Sequence, residues 1–135
     1  MVEFAQLFTE HMDAKGVKYT VKSENVVNVT YNGDNKDEIS IYVVFDKDGD
    51  GLVELKCWDV EKFKNKKDSA LKVCNDLNLK YRWVKFYVDD DDDVIVSMDA
   101  IIDRSTCGAE CLSLVLRLVN ILDDAYPEIA KARWA

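Results

Sequence analysis

Apolar residues recur every second position over 26–57 and again over 81–102, and every third or fourth position in the segments around them. Residues 2–15 predict an amphipathic helix, with Phe4, Leu7, Phe8 and Met12 on one stripe and Gly16 as its stop. Val27, Val29 and Tyr31 then alternate with Val26, Asn28 and Thr30, and Asn32-Gly33-Asp34-Asn35 turns the chain. Ile39, Ile41, Val43 and Phe45 share the next face, and Val53, Leu55 and Cys57 the one after. Placing Phe45 opposite Val53, Val43 opposite Leu55 and Ile41 opposite Cys57 aligns these faces and predicts a three-stranded antiparallel meander.

Helical spacing returns from about Asn65 to Lys80, where Ala70, Val73, Cys74 and Leu77 form the buried stripe. The following stretch, YRWVKFYVDDDDDVIVSMDAIID from Tyr81 to Asp103, has two alternating runs around five aspartates and predicts a β-hairpin with an acidic turn. Val88 then faces Val94 and Phe86 faces Val96, while Tyr81, Trp83, Lys85 and Tyr87 share the other side. After Asp103-Arg104-Ser105-Thr106, whose hydroxyls are candidates to cap free N–H groups, a last helix is expected to run to about Tyr126, where Pro127 favours a stop. Its polar stripe, Ser113, Arg117, Asn120 and Asp124, is narrow. Such a helix must be buried on two sides, one against the sheet and the other against a second helix or a second subunit. The expected order is α-β-β-β-α-β-β-α, an α+β fold in one domain over 1–135.

Charge narrows the choice of partner. With 26 acidic against 18 basic residues the net charge is −8, which repels phosphate backbones and anionic lipid heads and argues against nucleic-acid or membrane docking. The basic cluster Lys62, Lys64, Lys66 and Lys67 reads as a solvated loop. The opening MVEFAQLF has no basic region ahead of an apolar stretch, and no segment is apolar for long enough to span a bilayer. A cytoplasmic protein with four reduced thiols is expected.

Candidate chemistry is sparse. His11, the one histidine, lies on a different element from every cysteine, and GxxxxGK[ST], GxGxxG and GxSxG are all absent. Cys107, near a helix start, is a candidate for a lowered pKa, and Cys107 and Cys111 are spaced i, i+4. The spacings to Cys57 and Cys74 match no zinc motif. Neither catalytic residues nor a cofactor are expected. Asp46-Lys47-Asp48-Gly49-Asp50-Gly51 opens like a calcium-binding EF-hand loop, which makes Asp46, Asp48 and Asp50 candidate ligands. Position twelve is Cys57 rather than glutamate, and the flanks read as strands, so a plain hairpin turn is the favoured reading. The aspartates at 89–93 read as a solvated turn tip.

Aromatic residues are the stronger signal. In the expected register Tyr42, Trp58, Trp83 and Tyr87 share the outer face of the sheet, and with Leu116 and Val119 of the last helix they are the candidate protein-binding residues. Cover by the last helix or a crossover is the other reading of that face.

The segment from Leu71 to Asp103, LKVCNDLNLKYRWVKFYVDDDDDVIVSMDAIID, resembles the signature region of bacterial YbjN-domain proteins. Asn75 and Asn78 match an Asn-x-x-Asn-like pattern, and Asp123, Tyr126 and Pro127 match a D-x-x-Y-P-like motif. The resemblance implies helices packed on an antiparallel sheet, similar to type III secretion chaperones, which are small acidic homodimers that bind extended segments of other proteins. The family is described as sensory-transduction or stress-related regulators and implies no catalytic residues. A non-catalytic, chaperone-like or regulatory protein-binding module, probing another protein or its own second copy, is therefore expected, with calcium binding by the Asp46–Asp50 turn as the alternative.

Overall fold

A computed structural model describes residues 1–135. Its elements are α1 (Glu3–Lys15), β1 (Thr20–Ser23), β2 (Val26–Tyr31), β3 (Ile39–Phe45), β4 (Leu52–Lys62), α2 (Lys67–Lys80), β5 (Lys85–Val88), β6 (Asp93–Ile101) and α3 (Cys107–Trp134). The expected order holds with one strand added, β1. The six strands form one antiparallel sheet in the order β1-β2-β3-β4-β6-β5.

Alternation sets the register. Phe45 pairs with Val53 and Val43 with Leu55, and the ladder ends at Tyr42–Lys56, one step short of the expected Ile41–Cys57 pair. The acidic hairpin has Val88 on Val94 and Phe86 on Val96, as its pattern requires. Between β4 and β6 the ladder runs from Leu52–Ile101 to Cys57–Val96, then breaks. There β4 uses residues 58–60 where β6 uses only Ile95, a bulge that frees Trp58 and Asp59 from regular pairing.

All three helices pack on one face. A buried cluster of 32 residues draws on each of them and on β2 to β6, with Phe8, Phe45, Leu55, Leu118 and Leu122 among its largest members. α3 lies against β3, β4 and β6 and is flanked by α1 and α2, which supply its second buried side within the chain. At the α1–α3 crossing Gly108 lies so close to His11 that a Cβ would overlap the imidazole stem.

Three local expectations fail. The helix does not stop at Pro127 but continues to Trp134. Thr106 is its N-cap residue without a capping bond, because its hydroxyl goes to the Glu110 carboxylate instead. Lastly, Trp83 precedes β5 rather than lying within it.

Candidate protein-binding face

The second face of the sheet carries no helix. Strand alternation puts Tyr42, Glu54, Lys56, Lys85, Tyr87, Ile95 and Ser97 on it. Ile95 is only 3% exposed yet stands outside the helix-side core, and Ser97 is 0% exposed. Lys56, paired with Ser97, spans this part of the face. It starts on β4, and its Nζ lies 5.9 Å from the Tyr87 ring on β5, so its stem crosses over β6. The same ammonium sits 5.3 Å from the Trp58 ring and 3.7 Å from Glu54. Partial burial lowers the Lys56 pKa, but Tyr87 and Glu54 outweigh it and leave the pKa raised, so the cation is retained at neutral pH. Beneath this roof the Ser97 hydroxyl has no hydrogen-bond partner.

The aromatic residues divide into two groups. Tyr42 and Trp58 meet edge to face at 4.9 Å, and Tyr87 joins them through Lys56. Trp83 does not belong to this group. It has a φ of 79°, an unfavourable backbone region for a bulky residue, in the connection between α2 and β5. Its ring is 61% exposed and lies 5.1 Å from the Arg117 guanidinium of α3, which places it on the helix layer. The expected register fails there because regular strand begins only at Lys85. On α3 Leu116 is 40% exposed, whereas Val119 is 7% exposed, buried in the chain's own core and not presented to a partner.

The residues that carried the family resemblance serve the fold. The Asp123 carboxylate accepts the backbone N–H groups of Asp34, Asn35 and Lys36 at 3.0, 2.8 and 2.9 Å, tying the β2–β3 loop to α3. Desolvation raises its pKa, but these three donors prevail and hold it below the ordinary value. Gly33 is required beside it, since a Cβ there would overlap the carboxylate. Pro127, four residues on, has no N–H to offer the Asp123 carbonyl. The Asn35 side-chain amide fills that vacancy at 3.1 Å, which lets the helix pass through the proline. Tyr126 donates to Glu61 at 2.9 Å, its ring lies 5.0 Å from Lys36 Nζ, and burial with Glu61 pushes its pKa up. Asn78 both donates to the Phe86 carbonyl and accepts from the Phe86 N–H, at 3.0 and 2.8 Å. Asn75 is exposed and makes no side-chain hydrogen bond.

With those contacts in view, the family profile described as "YbjN: Putative bacterial sensory transduction regulator" matches residues 5–130. The chain belongs to the YbjN family. Its fold is similar to the Yersinia pestis type III secretion chaperone SycH, solved in complex with a stable fragment of YscM2. The TM-score is 0.59 at 15% identity, over 88% of this chain and 96% of SycH. No curated protein sequence matches.

Asn78, Asp123 and Tyr126 of the resemblance thus hold elements together, whereas Lys85, Tyr87, Ile95 and Ser97 of the 71–103 segment lie on the open face. Burial pushes the Cys57 thiol up to about 11, which makes it a poor twelfth-position ligand at neutral pH. The Asp46, Asp48 and Asp50 carboxylates are exposed and converge to within 4.8 Å, in a turn where Gly49 and Gly51 have φ of 74° and 84°. Asp89 accepts the N–H groups of Asp91 and Asp93, and Asp93 also pairs with Lys62 at 3.4 Å, so this turn uses its carboxylates to hold its own shape. Cys107 and Cys111 are buried; Cys107 Sγ contacts the Phe4 carbonyl at 3.4 Å. Lys66 of the basic cluster donates to the Arg133 carbonyl, stabilising the end of α3. No helix is long and apolar enough to cross a membrane.

Proposed function

We propose that this YbjN chain is a non-catalytic protein-binding module, regulatory or chaperone-like, acting in the cytoplasm and taking its partner on the open face of the sheet. The observation that carries the reading is the uncovered face itself, where Tyr42, Trp58 and Tyr87 stand around a buried centre of Ile95 and Ser97. Large aromatics beside a desolvated lysine give affinity through burial and specificity through charge. That SycH, of similar fold, was solved with a fragment of another protein supports a protein as partner. The four thiols are unpaired, which suits a reducing compartment.

The test is affinity capture from the host's lysate with wild-type protein and with Trp58→Asp, both checked for an unchanged melting temperature. Loss of a specific partner in the variant supports the reading, and capture that survives the charge overturns this face. A second copy of the chain is a further candidate partner, for which Trp83 and Leu116 provide exposed apolar contacts on the helix layer. Sedimentation equilibrium on wild type and Leu116→Glu decides it. The convergence of Asp46, Asp48 and Asp50 favours a second reading, divalent-cation binding. Calorimetric titration with about millimolar calcium showing no heat dismisses it.

A further inference from the structure

Resting on the reading of the open face as a docking surface, we infer that its corner between β3, β4 and the β2–β3 loop seats a basic side chain, arginine or lysine, of an extended partner segment. The corner is a concavity of about 810 Å³ with Tyr42 and Trp58 as aromatic walls and Asp37, Glu38 and Asp59 among its lining residues. None of these three carboxylates is in an ion pair, whereas six other acidic residues of the chain are. Lys36, the cation that also lines the corner, stands over the Tyr126 ring. The corner therefore has three carboxylates outside any ion pair against one ammonium, beside two aromatic rings, and the partner that complements this net negative lining is cationic. Trp58 already carries one ammonium, that of Lys56, which is not among the lining residues.

The geometry is held in advance of binding. Asp123 fixes the backbone of residues 34–36, and the Asn32 side chain accepts the Glu38 N–H at 3.1 Å. Glu38 is kept at a φ of 47°, so the acidic rim does not relax away from the aromatic walls. The β4 bulge brings Trp58 and Asp59 to the same corner. The chain's net charge of −8 adds a long-range pull on a basic segment.

The probe is an acetylated and amidated Gly-Gly-Arg-Gly-Gly peptide, followed through the indole N–H resonances of Trp58, Trp83 and Trp134. A saturable shift confined to Trp58 is expected. Asp37→Asn/Glu38→Gln/Asp59→Asn weakens it about tenfold, the sum of three exposed ion pairs. Asp46→Asn/Asp48→Asn/Asp50→Asn, which removes the same charge elsewhere, weakens it less than about threefold. If the triple change at the corner disturbs the fold, Asp59→Asn alone, outside the loop, weakens binding about twofold. Equal movement of all three indoles, an equal Trp58 shift with citrulline in place of arginine, or undiminished binding by the corner variants overturns the proposal. If the peptide leaves Trp58 unmoved while Trp58→Asp still loses its partner, the docking face stands without a cation seat. Failure of both removes both.

Discussion

The two faces of this sheet bury side chains by different means. On one, Ile41, Val43, Leu55 and Val96 are sealed under three helices. On the other, Ile95 and Ser97 are equally buried, but under the stem of Lys56 and the rings it touches. A helix is anchored by many contacts, whereas a lysine stem moves on the timescale of a rotamer change. Burial alone therefore does not separate core from surface here. What lies above the residue does, and only the second kind of cover can move without moving a helix.

Substitutions sharpen that contrast. The largest effect belongs to the helix side: Phe45→Ala, which empties a site against Phe8, lowers stability by about 3–5 kcal/mol in urea unfolding. Next is Asn78→Ala, expected to cost about 2 kcal/mol through two lost bonds to the Phe86 backbone, with the β5 amides exchanging first in hydrogen-exchange measurements. Asp123→Asn has a pH-dependent effect. The lowered carboxyl pKa means that the clasp contributes fully above the unfolded value of about 3.9 and loses its contribution as pH falls through the native one. Wild type and variant should thus differ in urea midpoint at neutral pH and converge in acid. The smallest effect has the opposite sign. Ser97→Ala removes a buried hydroxyl without a partner and should leave stability unchanged or raise it by up to about 1 kcal/mol. A clear loss of stability would mean that the open face is packed as tightly as the other.

The sequence announced whatever depended on period. Val88–Val94 and Phe86–Val96 were legible because only one register puts both apolar sets on one side. β1 was not, because all four of its residues are exposed and no alternation marks it. Pro127 misled because the rule for proline assumes that the orphaned carbonyl stays unpaired, and Asn35, 88 residues from Asp123, supplies the donor. Of the proposed face, Tyr42, Trp58 and Tyr87 were reachable from alternation, while Trp83 was lost to a turn with positive φ. The concave corner had no sequence signal, since it joins residue 37 to residue 59 across a bulge.

The Asn78 amide has one more effect, on solubility in a crowded solution. Phe86 gives both of its backbone groups to that amide, so β5 offers no free hydrogen-bonding row in the middle of its outer edge. A six-stranded sheet with an uncovered face is at risk of growing sideways, copy upon copy, into a filament. One side chain closes that route at the β5 end and leaves β1 as the edge where another strand could be added.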